Sequence, residues 1–174
     1  NLNMQEKFPE IKKESVQHYS IGQKIRSENL DGSFCESEIV NIIDSQKVIT
    51  VLGYNYEIKC PIPILILDKK IPGNLAAYRP ELNVIFAYND TSPEVMHHEI
   101  IHSLEMTKQI PEQLNIFYKK VLEVLPDNSN LQPNFRKNIH EFVADAYSKN
   151  GLIETLKNKG LYDEFINLTR YIFQ

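Results

Sequence analysis

The spacing of apolar positions changes twice along the chain. Over residues 1–30 the sequence is polar, with scattered apolar positions at Phe8, Ile11, Val16, Tyr19 and Ile25. That spacing suits one or two helices packed on a surface. Ser33 followed by Glu36 reads as a capping box, with Phe34, Ile39, Ile42 and Ile43 as the apolar stripe of a short helix behind it. From Val48 to Tyr88 the pattern becomes β-like. Val48 to Leu52 and Ile62 to Leu67 are apolar, β-branched and punctuated by Gly53, Pro61, Pro63 and Gly73. Leu75 to Tyr78, a turn at Arg79-Pro80-Glu81, and Asn83 to Tyr88 read as a hairpin. After Asn89 the pattern is helical. Thr91-Ser92-Pro93-Glu94 supplies an N-cap hydroxyl, a proline in the first turn and an early acid, and opens a helix to about Lys108. Pro111 opens a second, to about Leu125, and Pro126 to Asn130 form a loop. A third runs from about Asn134 to Lys149 and stops at Asn150-Gly151, and a last one covers about Leu161 to Phe173. The expected fold is α+β: a small mixed sheet in the first half and helices in the second.

Composition narrows the class. With 174 residues, 42% of them hydrophobic and 24% charged, the chain has enough for one globular domain spanning 1–174. Its parts are an N-terminal segment (1–47), a strand region (48–90) and a helical region (91–174). A net charge of −4 without a basic block argues against nucleic acid or an anionic membrane as partner. No apolar run approaches the roughly 20 residues that cross a bilayer. Cys35 and Cys60 are the only cysteines, which excludes a disulfide framework and leaves open whether the two pair. The sequence opens on Asn1, which reads as a processed or trimmed form and leaves its destination open. The 16 Asn and 21 Ile suggest an AT-rich coding genome, that of a bacterium or its phage.

The chemistry lies in the helical half, at His97-His98-Glu99-Ile100-Ile101-His102. His98 and His102 are four apart, so on a helix they stack one turn above each other and both imidazoles can reach one metal ion. Glu99 points about 100° round from His98, beside the ion, where it can take a proton from a water. Ile100 and Ile101 turn to the opposite side as core anchors. A chance match to this five-residue pattern in a chain with 5 His and 16 Glu has a probability of about 1%. A two-histidine zinc site needs a third protein ligand. Glu105 lies too close along the same helix to complete a tetrahedron; it is an acceptor for an imidazole N–H, or a surface acid. Glu141 is the better ligand, with Asp145 one turn later on its face, positioned to orient a zinc-bound histidine. His97 reads as a polar surface residue. Each of these positions alone would suit an ordinary amphipathic helix; their order carries the argument.

His98-Glu99-Ile100-Ile101-His102 followed by Glu141-x-x-x-Asp145 resembles the gluzincin group of zinc metallopeptidases. The 38 residues between His102 and Glu141, and the stretch from Ile139 to Tyr147, are most similar to the compact anthrax lethal factor catalytic domain and the secreted Pro-Pro endopeptidases. The resemblance covers about Leu75 to Tyr147. It implies a zincin-like fold, one Zn2+ per chain on His98, His102 and Glu141, Glu99 as general base and Asp145 behind the ligands. It also implies an extended peptide or protein substrate, and secretion as the favoured location. Such enzymes carry an edge strand above the metal, and Asn83-Val84-Ile85-Phe86-Ala87-Tyr88 occupies that place in chain order. One departure stands out. The relatives have a tyrosine shortly before the ligand glutamate, whereas here Pro133 to Asn138 contains none. His140, Tyr147, Arg136 and Tyr78 are the open candidates for polarising the scissile carbonyl.

The expected activity is therefore zinc-dependent endopeptidase. Two rivals remain: a cytosolic regulatory protease of the kind that cleaves phage and mobile-element repressors, and a zinc-binding interaction module without catalysis. Cleavage preference and oligomeric state are not legible.

Overall fold

A computed structural model describes residues 18–28, 32–44, 48–50, 57–69, 76–125, 133–148 and 150–174. The strands are β1 (Lys24–Glu28), β2 (Phe34–Ile43), β3 (Val48–Thr50), β4 (Glu57–Lys59), β5 (Ile64–Leu67), β6 (Ala77–Arg79) and β7 (Val84–Tyr88). The helices are α1 (Pro93–Glu105), α2 (Glu112–Val124), α3 (Ile139–Ser148), α4 (Asn150–Asn158) and α5 (Tyr162–Thr169), with 3₁₀ turns at Pro133–Arg136 and Arg170–Phe173. Five strands form one mixed sheet in the order β1-β2-β5-β7-β6, and β3 pairs with β4 separately. Only β5 and β7 run parallel; the other neighbours are antiparallel. The α+β layout expected from the sequence is the one observed.

The sheet has two buried faces because β5 and β7 alternate apolar residues to both sides. Ile64, Ile66, Tyr78, Ile85 and Ala87 join Ile100, Ile101 and Phe142 in the core shared with the helices. Leu65, Leu67, Val84, Phe86 and Tyr88 gather with Ile25 and Ile39 in a second cluster.

Several expectations are corrected. Ile25 belongs to strand β1, not to a helix, and the Ser33–Glu36 capping box does not form. Ser37 and Ile39 are buried two apart, while Phe34 is 55% exposed under the Arg26 guanidinium. A period of two, broken by a bulge between Ile39 and Asn41, wins over the helical spacing. Phe8, Ile11, Val16, Leu52, Leu75 and the Pro126–Asn130 loop lie outside the described residues.

In the hairpin, β6 and β7 are joined through Pro80–Asn83, with Asn83 in the left-handed region at φ 56. The strand preceding α1 is not a sheet edge. β7 pairs with β5 on one side and β6 on the other, and Val84 to Tyr88 are all buried. Among the described residues the sheet's edges are β1 and β6, and β6 is the one beside β7.

α1 begins as expected, with Ser92 Oγ accepting the Val95 N–H at 3.2 Å and Pro93 in the first turn. It ends at Glu105, short of Lys108. The third helix begins at Ile139 instead of Asn134, because Asn138 caps it: Oδ1 accepts the Glu141 N–H at 2.9 Å. Asn150 and Gly151 do not end the helical stretch. They open α4, whose Leu152, Ile153 and Leu156 are buried in the core. Gly160, at φ 71, closes α4. No helix among the described residues is long and apolar enough to cross a membrane.

Candidate metal centre

α1 and α3 pack against each other, and six ionisable side chains meet in their seam. His98, Glu99, His102, Glu105, Glu141 and Asp145 are each less than 9% exposed. On α1, Ile100 and Ile101 insert into the core and thereby turn His98 and His102 toward α3. On α3, Phe142 and Val143 do the same for Glu141 and Asp145.

His98 Nε2 and His102 Nε2 stand 3.1 Å apart, with the rings edge to face at 4.6 Å between centroids. Glu141 closes the triangle: Oε1 lies 2.9 Å from His102 Nε2, and Oε2 lies 3.3 Å from His98 Nε2. Behind each imidazole is a second carboxylate. Asp145 Oδ1 is 2.9 Å from His98 Nδ1, and Glu105 Oε1 is 3.1 Å from His102 Nδ1. Glu105 Oε1 accepts from His102 Nδ1, and Asp145 Oδ1 stands at ion-pair distance from His98 Nδ1; with each Nδ1 turned to a carboxylate, each Nε2 turns inward. Two lone pairs and a carboxylate pointed at one spot repel unless a cation sits between them. Tetrahedral bonds of about 2.0–2.1 Å separate ligand atoms by about 3.3 Å, close to the triangle observed. The residues therefore fit a metal ion. Among the described residues this is the one group of three His, Cys, Asp or Glu side chains so arranged.

The electrostatics say the same from another direction. Burial alone would lower the pKa of His102, but its bonds to Glu105 and Glu141 outweigh burial and lift it from 6.5 to about 10. His98 is raised for like reasons: burial opposes, Asp145 and Glu141 prevail. Burial would raise Glu141, yet the bonds from His102 and His98 hold it far below its ordinary range.

No protein-family model, no curated protein and no solved structure matches this chain.

Glu99 stands beside the triangle. Its Oε2 accepts the backbone N–H of Tyr78 at 3.2 Å. That N–H points away from β7, so Glu99 lies against the outer edge of β6. Glu105 is an orienting acid and not a surface one: it is 1% exposed, and its Oε2 is 2.6 Å from His140 Nδ1.

The four candidates for polarising a carbonyl are placed as follows. His140 gives its Nδ1–H to Glu105. The Tyr147 hydroxyl bonds Thr169 in the core, and Arg136 donates to the Leu125 carbonyl. Tyr78 is 2% exposed and contributes its backbone. His97 is 7% exposed, not a surface residue, and burial lowers its pKa. No disulfide joins Cys35 and Cys60; Cys60 is buried, and its S–H donates to the Ile62 carbonyl at 3.0 Å.

The sequence reading missed the bond from His140 to Glu105 and the one from Tyr78 to Glu99. The cap at Asn138 was legible, since Asn138 stands three residues before Glu141. The Tyr78 contact joins residues 21 apart through a backbone amide, which leaves no mark in residue types.

Proposed function

We propose that this chain is a zinc-dependent endopeptidase of the gluzincin type. One observation carries the reading: two imidazole nitrogens and a carboxylate converge within 3.3 Å, each ring oriented by its own buried carboxylate, with a further carboxylate, Glu99, alongside. His98 Nε2, His102 Nε2 and the Glu141 carboxylate hold the ion. Zinc so held supplies Lewis acidity, lowering the pKa of a water to about 7 and polarising a carbonyl. Asp145 and Glu105 keep the two lone pairs aimed inward. Glu99, fixed at Oε2 by the Tyr78 N–H, takes the proton of the attacking water at Oε1 and returns it to the leaving amine. An extended peptide or protein substrate would approach along β6, the strand beside β7 at the sheet edge, where the Tyr78 N–H is held by Glu99 and so is not a rung for the substrate.

A second reading has its own support. The Tyr147 hydroxyl is bonded to Thr169 in the core and Tyr78 is buried, which suits a zinc-binding module that acts by protein contact. A regulatory protease with one physiological substrate shares the same centre. Metal analysis of wild type, His98→Ala and Glu141→Ala tests the centre, with about one zinc per chain expected in wild type only. Peptide-library cleavage by wild type against Glu99→Gln then separates the readings. Hydrolysis by wild type that Glu99→Gln loses supports the enzyme. A zinc-loaded wild type that cleaves nothing makes it a binding module.

A further inference from the structure

His140 takes no part in the chemistry above, yet it is tied to the centre. Its Nδ1 lies 2.6 Å from Glu105 Oε2, and the other Glu105 oxygen lies 3.1 Å from His102 Nδ1. Glu105 is 1% exposed, whereas the His140 side chain is 36% exposed. The buried carboxylate is thus a bridge with a different imidazole on each oxygen.

We infer that His140 is a positioning residue for the metal centre: by holding Glu105, it fixes the ring of His102 toward the ion. This rests on the zinc reading given above. A buried carboxylate oxygen that loses its donor is costly, so it turns toward water or another partner. Glu105 swung in that way no longer aims its other oxygen at His102 Nδ1. The ring then loses the contact that sets both its tautomer and its tilt. Neighbouring positions on α3 thus serve the same metal in different ways: Glu141 touches it, and His140 acts through two intermediaries. Asp145, one turn on, acts through one.

The test is zinc affinity, measured by competition with a chelator of known strength, and it needs no substrate. Glu105→Ala should weaken zinc binding by about 10- to 100-fold, the usual effect of an outer-sphere partner. His140→Ala should weaken it by about 10-fold, at the low end of that range. The double variant should bind no more weakly than Glu105→Ala alone, because His140 acts only through Glu105. His140→Asn retains an N–H near the Nδ1 position and should recover most of the lost affinity, which a general packing role would not predict. Thermal melts in chelator confirm that each variant is folded. His140→Ala with wild-type affinity would overturn the inference and leave the zinc centre intact. A double variant weakened by the product of the two single effects would overturn it as well. A wild type that binds no zinc would overturn the centre itself and this inference with it.

Discussion

The apolar face of the sheet and the α1–α3 seam are buried to the same degree by opposite chemistry. Ile25, Ile39, Leu65, Leu67, Val84 and Phe86 form an apolar cluster, with Ser37 buried two residues from Ile39 on the same face of β2. The seam holds His98, Glu99, His102, Glu105, Glu141 and Asp145 at equally low exposure. Removing apolar surface from water is favourable in itself, at about 25 cal/mol per Å². Burying an ionised group costs several kcal/mol unless partners offset it. Every seam carboxylate described above does have a partner, and three of the four face an imidazole. The sheet explains why the chain folds. The seam, which adds little to stability and much to cost, is explained by what it can bind.

Substitutions should separate these roles. The largest effect expected is on turnover: Glu99→Gln should lower peptide hydrolysis by about 10²- to 10⁴-fold while leaving zinc content unchanged. Retained turnover would remove Glu99 from the chemistry. Next, Phe86→Ala should cost about 3–5 kcal/mol in denaturant unfolding, by the same amount with zinc or with chelator. A loss that depended on zinc would show that sheet and seam are not independent. Zinc itself should stabilise the folded protein by about 4 kcal/mol at a thousandfold excess over its Kd, seen as a drop in melting temperature on chelation. Asp145→Ala should follow, weakening zinc binding by about 10- to 100-fold with little change in the melting of the chelated protein.

The pH dependence of the chelated protein isolates the seam from the sheet. His102 is raised in the fold, so its contribution is full below pH 6.5 and is lost as the pH climbs to about 10. Glu141 is lowered, so its contribution is full above pH 4.5 and is lost as the pH falls further. Melting temperature in chelator should therefore decline from pH 6.5 upward. With zinc present the same rise removes competing protons and tightens binding. The gap between the two melting curves should widen from pH 6 to 9; a constant gap would mean that proton and metal do not share the site.

The helical half was the more legible half. His98, Glu99 and His102 announce themselves because helix periodicity turns a spacing of four into proximity. Glu141 and Asp145 follow the same rule on a second helix. The strands at Ile64–Leu67 and Val84–Tyr88 showed through their continuous apolar character. What failed was pairing. Sequence order suggested that the strand before α1 lies at the edge, but β6 packs outside it, and nothing in residue types orders strands laterally. The β2 segment failed because Ile39, Ile42 and Ile43 fit a helical stripe as well as a bulged strand. His140 was noticed as one of four open candidates, but its bond to Glu105 was not legible, because Glu105 lies 35 residues away on another helix.

The separation between His102 and Glu141 also bears on the order of assembly. His98 and His102 become neighbours once a turn of helix forms, an event of about a microsecond or less. Glu141 joins them across 39 residues, and only when α3 docks on α1. On the proposed zinc reading, an ion meeting the nascent chain would find two histidines and no carboxylate. Its tight retention would then begin only with the finished tertiary structure, so full-strength uptake would mark the end of folding.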